Sequence, residues 1–149
     1  MVGLVRAVEP GFLVFVLALG VIVAAAARNG LGSFVGDLVP GGSGLGALLA
    51  VAGVSALLAN VVNNLPATLI LIPAVAAAGG QAALLAMLIG VNVGPNLTYA
   101  GSLATLLWRR VLRLEGIEAP PREFTFVGAL AVPPALVAAT VALWLALKV

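Results

Sequence analysis

Asn63-Asn64-Leu65-Pro66 and Asn92-Val93-Gly94-Pro95-Asn96 interrupt a stretch, Leu38 to Trp108, in which 71 consecutive residues carry no charged side chain. A run this long without charge is solvated by lipid, and a helix in lipid has to satisfy its own backbone. Each break leaves N–H and C=O groups without helical partners, which is tolerated at membrane depth only where the backbone lines a cavity or is buried in protein. Two interrupted apolar helices with carboxamides at the interruptions are how membrane carriers build a midplane site for solute and ions. The stretch therefore predicts a transporter.

Composition points the same way. The chain is 63% hydrophobic and 8% charged, with a mean hydropathy of +1.26, against about 25% charged residues in ordinary soluble domains. This is an integral membrane protein, and its first partner is the lipid bilayer. A pI near 10.0 rests on only 7 Lys and Arg against 5 Asp and Glu, so it gives no reason to expect nucleic acid. The chain has no cysteine and no histidine, which removes disulfides, thiolate nucleophiles, histidine relays and the usual zinc and haem ligands. No cofactor or metal is expected. Without His, Cys or an acid in the uncharged run, neither is an intramembrane enzyme.

Outward from the breaks, the lengths predict an all-α, polytopic arrangement in a single transmembrane domain, 1–149. The first apolar segment, 11–27, makes about 26 Å of helix at ~1.5 Å per residue, barely a span. A cleaved signal peptide competes for this segment, with Arg6 as its basic region and Ala24-Ala25-Ala26 as its cleavage site. Residues 45–62 form a second apolar helix, with Gly46, Ala50 and Gly53 offering a face for close helix packing. From Pro66 to Ala78 the chain reaches only about 20 Å against a hydrocarbon core of roughly 30 Å, so 45–78 reads as a re-entrant hairpin tipped by the first break. After Gly79-Gly80, two half-helices on either side of the second break, together 81–108, read as one discontinuous transmembrane helix. A charged connector, 109–123, leads to a last span, 124–147, in which Pro133-Pro134 predicts a kink. With the N-terminus cytoplasmic, Arg6, Arg109, Arg110, Arg113 and Arg122 lie inside and Arg28 and Lys148 outside, the bias the positive-inside rule requires.

Asn60, Asn63 and Asn64 cluster within one helical turn, and an unpaired amide in hydrocarbon costs about 2 to 7 kcal/mol. They are expected to point into the bundle and meet backbone, water or a ligand; Asn63 alone has the simpler reading of a cap on the Pro66 helix. At the second break Gly94 and Pro95 stop the helix, and Asn92 and Asn96 bracket its free groups. Thr98, Ser102 and Thr105 recur at helical spacing on one face, Thr98 as a ligand group and Thr105 as a hydroxyl bonded back to its own helix. Half-helix ends attract solute oxygens at their amides and cations at their carbonyls. No carboxylate lies in either break, which leaves Asp37, cavity water or another polypeptide as the proton carrier if transport is proton-coupled.

The strings Ala59-Asn60-Val61-Val62-Asn63-Asn64-Leu65-Pro66-Ala67, Gly94-Pro95-Asn96-Leu97-Thr98 and Gly101-Ser102-Leu103-Ala104-Thr105-Leu106-Leu107-Trp108 closely resemble the C-terminal half of the arsenical pump membrane protein family. These are arsenite and antimonite efflux carriers of the ion-transporter superfamily. The resemblance covers roughly 1–149. It implies one repeat of an inverted-repeat carrier in a bacterial cytoplasmic membrane, and extrusion of arsenite as a neutral trihydroxide in exchange for protons. Carried over by residue, it implies a substrate or ion site at Asn63, Asn64 and Pro66 on the hairpin tip and at Asn92, Gly94, Pro95, Asn96 and Thr98 on the broken helix. Asn60 and Ser102 are added from their positions beside those breaks. A member of the family is expected to hold both repeats, so the expected partner is an N-terminal transporter half or another membrane subunit. A truncated product, one half of a split carrier and a fragment all fit. The rivals are a sodium- or proton-coupled carboxylate carrier, disfavoured because neither break holds Lys or Arg, and a non-transporting membrane module.

Overall fold

The computed structural model describes residues 10–148; Arg6, counted in the charge bias above, lies outside them. Helix α1 (Pro10–Ala26) is followed by a kink within Ala27–Leu31, where Asn29 (φ −98, ψ 31) and Gly30 (φ 102, ψ −11) leave helical geometry, and then by the short α2 (Gly32–Leu38). Then follow α3 (Leu45–Val62), α4 (Asn64–Val93), two 3-10 turns (Gly94–Leu97 and Tyr99–Gly101), α5 (Leu103–Leu114) and α6 (Pro121–Ala146). Among the described residues there is no strand, and the protein is all-α. Three helical stretches, Leu45–Val62, Asn64–Leu97 and Pro121–Ala146, are long and apolar enough to cross a membrane.

The first break occupies a single residue. Asn63 separates α3 from α4, while Asn64 and Leu65 are already helical and Pro66 sits in the first turn, where its missing N–H would have had no helical partner. The return limb is correspondingly longer than the sequence indicates: it runs over 64–79, about 24 Å, until Gly80 leaves helical geometry at φ 60, ψ −146. At that length the limb alone does not distinguish a hairpin dipping into the bilayer from two crossings. The two limbs are antiparallel, because Gly42 N donates to Ala78 O at 3.4 Å, tying the start of one to the end of the other.

Beyond Gly80 the chain returns along α3, and glycines set how closely it approaches. A Cβ on Gly90 would lie 2.3 Å from Ala52 O, and one on Gly94 would lie 2.4 Å from Ala56 Cβ. Gly90 and Gly94 are one helical turn apart, so both press the same side of α3, the small-xxx-small arrangement of membrane helices. Gly46, Ala50 and Gly53 are not that contact: Ala50 is exposed, and nothing lies within 4 Å of a Cβ built on Gly46 or Gly53. The contact falls instead on Ala52, Ser55 and Ala56, the α3 residues that meet the two α4 glycines. Around it, Leu48, Val51, Leu71, Val75, Ala83, Ala86 and Met87 make the core. Helix α6 is unbroken through Pro133-Pro134 and closes over the second break, where a Cβ on Gly128 would stand 2.4 Å from Asn96 O.

These contacts separate two classes of glycine. Gly90→Ala is expected to lower the unfolding free energy by about 1 to 3 kcal/mol through overpacking. Gly46→Ala, in an open position, is expected to leave it unchanged or to raise it by up to about 1 kcal/mol through helix propensity. Thermal unfolding of the detergent-solubilised variants measures both; equal melting temperatures would mean that the Gly90 contact does not hold α4 to α3.

Candidate functional site

The two breaks meet, and Asn60 joins them. It stands on the last turn of α3, where its Nδ2 donates to Ala56 O and to Gly94 O, both at 2.8 Å, and its Oδ1 accepts from Thr98 Oγ1 at 2.8 Å. The Gly94 carbonyl, released where α4 gives way to a 3-10 turn, thus finds its acceptor role filled by a side chain 34 residues earlier. One carboxamide satisfies its own helix, the second break's backbone and the Thr98 hydroxyl. Both N–H groups of Asn60 are used, which leaves it little capacity for a ligand.

Asn63 is arranged differently. At φ 77, ψ 155 its backbone lies in a region other residues leave almost wholly to glycine, a strain of order 1 to 3 kcal/mol. Its side chain does not cap α4; Nδ2 crosses to Ala100 O at 3.1 Å. The backbone carbonyl of Asn63 receives Ala67 N at 3.1 Å. The residue is 7% exposed, and its Oδ1 is buried without a hydrogen-bond partner. An unsatisfied buried acceptor costs about 1 to 3 kcal/mol, so this oxygen is where a hydrogen-bond donor gains most.

Gly101 completes the junction. A Cβ there would fall 2.6 Å from Pro95 and 2.8 Å from Asn60 Oδ1, so the turn Tyr99–Gly101 lies directly on the first 3-10 turn. This close approach forces the chain out of the helix. Thr98 (φ −136, ψ 158) and Ser102 (φ −144, ψ 141) are extended on either side of the turn, and α5 restarts only at Leu103. Thr98, Ser102 and Thr105 therefore do not share a helical face, as their spacing suggests.

Of the ten residues singled out in the sequence, the structure gathers Asn60, Asn63, Gly94, Pro95 and Thr98 into one cluster. Pro66 is buried at the hairpin tip beside it, and the half-buried Asn64 receives the Thr68 hydroxyl on its backbone carbonyl at 2.7 Å. The others serve local backbone. Asn92 Nδ2 donates to Leu88 O at 2.7 Å, and Asn96 Nδ2 to Val93 O at 3.0 Å, both in exposed positions. Ser102 Oγ accepts from Ala104 N at 3.1 Å and caps α5. The sequence reading missed Ala100, Gly101 and Gly128, whose roles are a backbone carbonyl and two close approaches. It also missed Tyr99, the chain's one tyrosine, whose hydroxyl donates to Ala119 O at 2.8 Å.

The junction is polar, and it holds one orphan carbonyl-type acceptor, Asn63 Oδ1, beside two 3-10 turns. Among the described residues no group of three or more His, Cys, Asp or Glu is placed to hold a metal.

Residues 4–147 match a protein family described as arsenical pump membrane protein. The chain is also similar to an arsenical pump membrane protein of Escherichia coli, 32% identical over 109 residues that make up 66% of this chain and 25% of that protein. It thus spans part of that relative's length, about a quarter of which is aligned. No solved structure matches the chain.

The geometry separates backbone from side-chain roles at Asn63. Asn63→Gly removes the Cβ that strains this position whereas Asn63→Ala keeps it, and both lose the bond to Ala100 O, so the glycine variant is expected to be more stable than the alanine variant by about 1 to 3 kcal/mol. Denaturation of both variants in detergent, compared at equal protein concentration, measures the gap; an Asn63→Ala variant as stable as Asn63→Gly contradicts the strained geometry.

Proposed function

Because the chain belongs to the arsenical pump membrane protein family, we propose that it forms the C-terminal half of a secondary carrier that extrudes arsenite and antimonite in exchange for protons. The observation that carries this reading is the junction of the two backbone breaks through Asn60, with the buried, unpartnered Oδ1 of Asn63 at its centre. Arsenite at neutral pH is a neutral trihydroxide. Its hydroxyls are donors, and the junction holds an acceptor that the fold leaves unused, Asn63 Oδ1. A site without cysteine binds it through oxygen and releases it more readily than a thiolate cage would.

In this reading the tip of the α3–α4 hairpin lies within the bilayer, entering from the external side, with the 109–123 connector cytoplasmic. Asn63 and Asn64 hold the solute. Asn60 holds the second break against the first, so hairpin tip and 3-10 turns travel as one body during alternating access. The residues capping local backbone, Asn92, Asn96 and Ser102, position that body. No acid lies at the junction, and Asp37 is exposed on α2, so the proton travels through cavity water or through an acid on the partner half. A carboxylate cargo is disfavoured because neither break holds a Lys or Arg.

Arsenite accumulation in cells expressing the chain, with and without an N-terminal half supplied separately, tests the reading. Accumulation is expected to fall only when both are present. Asn64→Ala is expected to abolish extrusion at unchanged membrane levels, and Asn92→Ala, which removes only a bond back to Leu88 O of its own helix, to retain most of it. Saturable, pH-gradient-driven arsenite flux by the purified chain alone in liposomes would refute the need for a second half; wild-type extrusion by Asn64→Ala would remove that residue from the site.

A further inference from the structure

The structure has a second cluster of chemistry, at the far end of α5, that solute binding does not use. Arg109 and Arg113 share a cavity of about 290 Å³ with Glu118, Ala119, Pro120 and Pro121. The guanidinium carbon of Arg109 stands 4.5 Å over the Tyr99 ring. That ring is fixed from both sides: it stacks on Phe124 with centroids 4.3 Å apart, and its hydroxyl donates to Ala119 O, a residue of the same cavity. An aromatic face offsets the charge of the guanidinium but gives its N–H groups no lone pair. Arg109 Nε is buried and without a hydrogen-bond partner.

We propose that Arg109 and Arg113 bind the phosphodiester of an anionic membrane phospholipid. The donors fit: the two guanidiniums are the side-chain donors that line the cavity, and guanidinium is the side chain best matched to phosphate oxygens.

A neighbouring cavity decides between a lipid and a soluble anion. About 310 Å³ in volume, it shares Glu118, Ala119 and Pro120 with the first and is otherwise lined by Tyr99, Trp108, Phe124 and Val127 and by the exposed Glu123. A free anion gains nothing from aromatic and aliphatic walls next to its binding arginines, whereas a phospholipid places its head group in one cavity and the start of an acyl chain in the other. The position agrees, because the site sits where α6, an apolar helix of 26 residues, begins at Pro121. Trp108, Val111 and Leu114 are exposed on the adjoining surface of α5, the mix of indole, aliphatic and arginine side chains found at a membrane surface. The proposal rests on the chain lying in a membrane and is independent of which solute it moves.

Native mass spectrometry of the purified full chain, loaded with phosphatidylglycerol or with phosphatidylcholine, tests it. Phosphatidylglycerol is expected to be retained preferentially and to survive addition of inorganic phosphate. Arg113→Gln, at an exposed position, is expected to fold normally and to lower that retention about three- to tenfold, the loss of one charge-assisted contact; Arg109→Gln is expected to lower it at least as far, and Arg28→Gln, outside these cavities, to leave it unchanged. Equal retention of the two lipids, unchanged retention in both Arg109→Gln and Arg113→Gln, or an equal loss in Arg28→Gln would overturn the site. Displacement of the lipid by inorganic phosphate would overturn the lipid as its occupant. None of these readouts depends on arsenite, so the solute reading and the lipid site stand or fail separately.

Discussion

Non-helical backbone inside an apolar environment has to find partners within the protein, and in this chain the requirement converges on the carboxamide of Asn60. Its contacts with Gly94 O and Thr98 Oγ1 give two separate interruptions one shared solution. Had each break been capped by its own neighbours, the hairpin tip and the 3-10 turns would be independent features. Because one side chain serves both, the position of the second break is referred to the end of α3, and so to the core in which α3 is central. The unsatisfied oxygen of Asn63 is then held in a place that the core determines.

Such convergence needs backbones to come very close, which explains where the glycines fall. Gly90 and Gly94 bring α4 onto α3, Gly101 folds the second turn onto Pro95, and Gly128 lets α6 lie against Asn96. In each case a single methyl group would collide with backbone or with a Cβ. Lipid tails are as apolar as the side chains they would replace, so burial of leucines contributes little to holding these helices together, and close contact through small residues takes its place. Many large apolar side chains are left facing outward, Val61, Leu69 and Phe126 among them.

Much of this was legible in the sequence because charge and helix breakers are one-dimensional signals. The uncharged run, the two Asn/Pro breaks and the apolar lengths of α3 and α6 identify a helical membrane protein of the transporter type before any coordinates. What did not show was which residues face each other. Gly46, Ala50 and Gly53 look like a packing stripe by spacing, yet the stripe that is used depends on Gly90 and Gly94, residues whose partner is chosen by the fold. The helical spacing of Thr98, Ser102 and Thr105 misleads for a related reason: it assumes a continuous helix, and the contact of Gly101 with Pro95, which ends that helix, is invisible to periodicity. Asn63 and Asn60 have the same side chain, and only their surroundings distinguish the satisfied one from the unsatisfied one.

That distinction bears on how polar residues in membrane proteins are interpreted. A carboxamide at a helix break is commonly counted as a ligand group because leaving it in hydrocarbon is expensive, but the same expense is met when it bonds to backbone, as Asn60, Asn92 and Asn96 do here. Position at a break is therefore weak evidence of binding by itself. The stronger evidence is a deficit. Asn63 keeps a strained backbone angle and an unpaired oxygen although Ala100 O engages its Nδ2, so local packing has satisfied only half of the side chain. Strain of about 1 to 3 kcal/mol and an orphan acceptor of similar cost therefore meet in one residue, which sets Asn63 apart from the carboxamides whose bonding the fold completes.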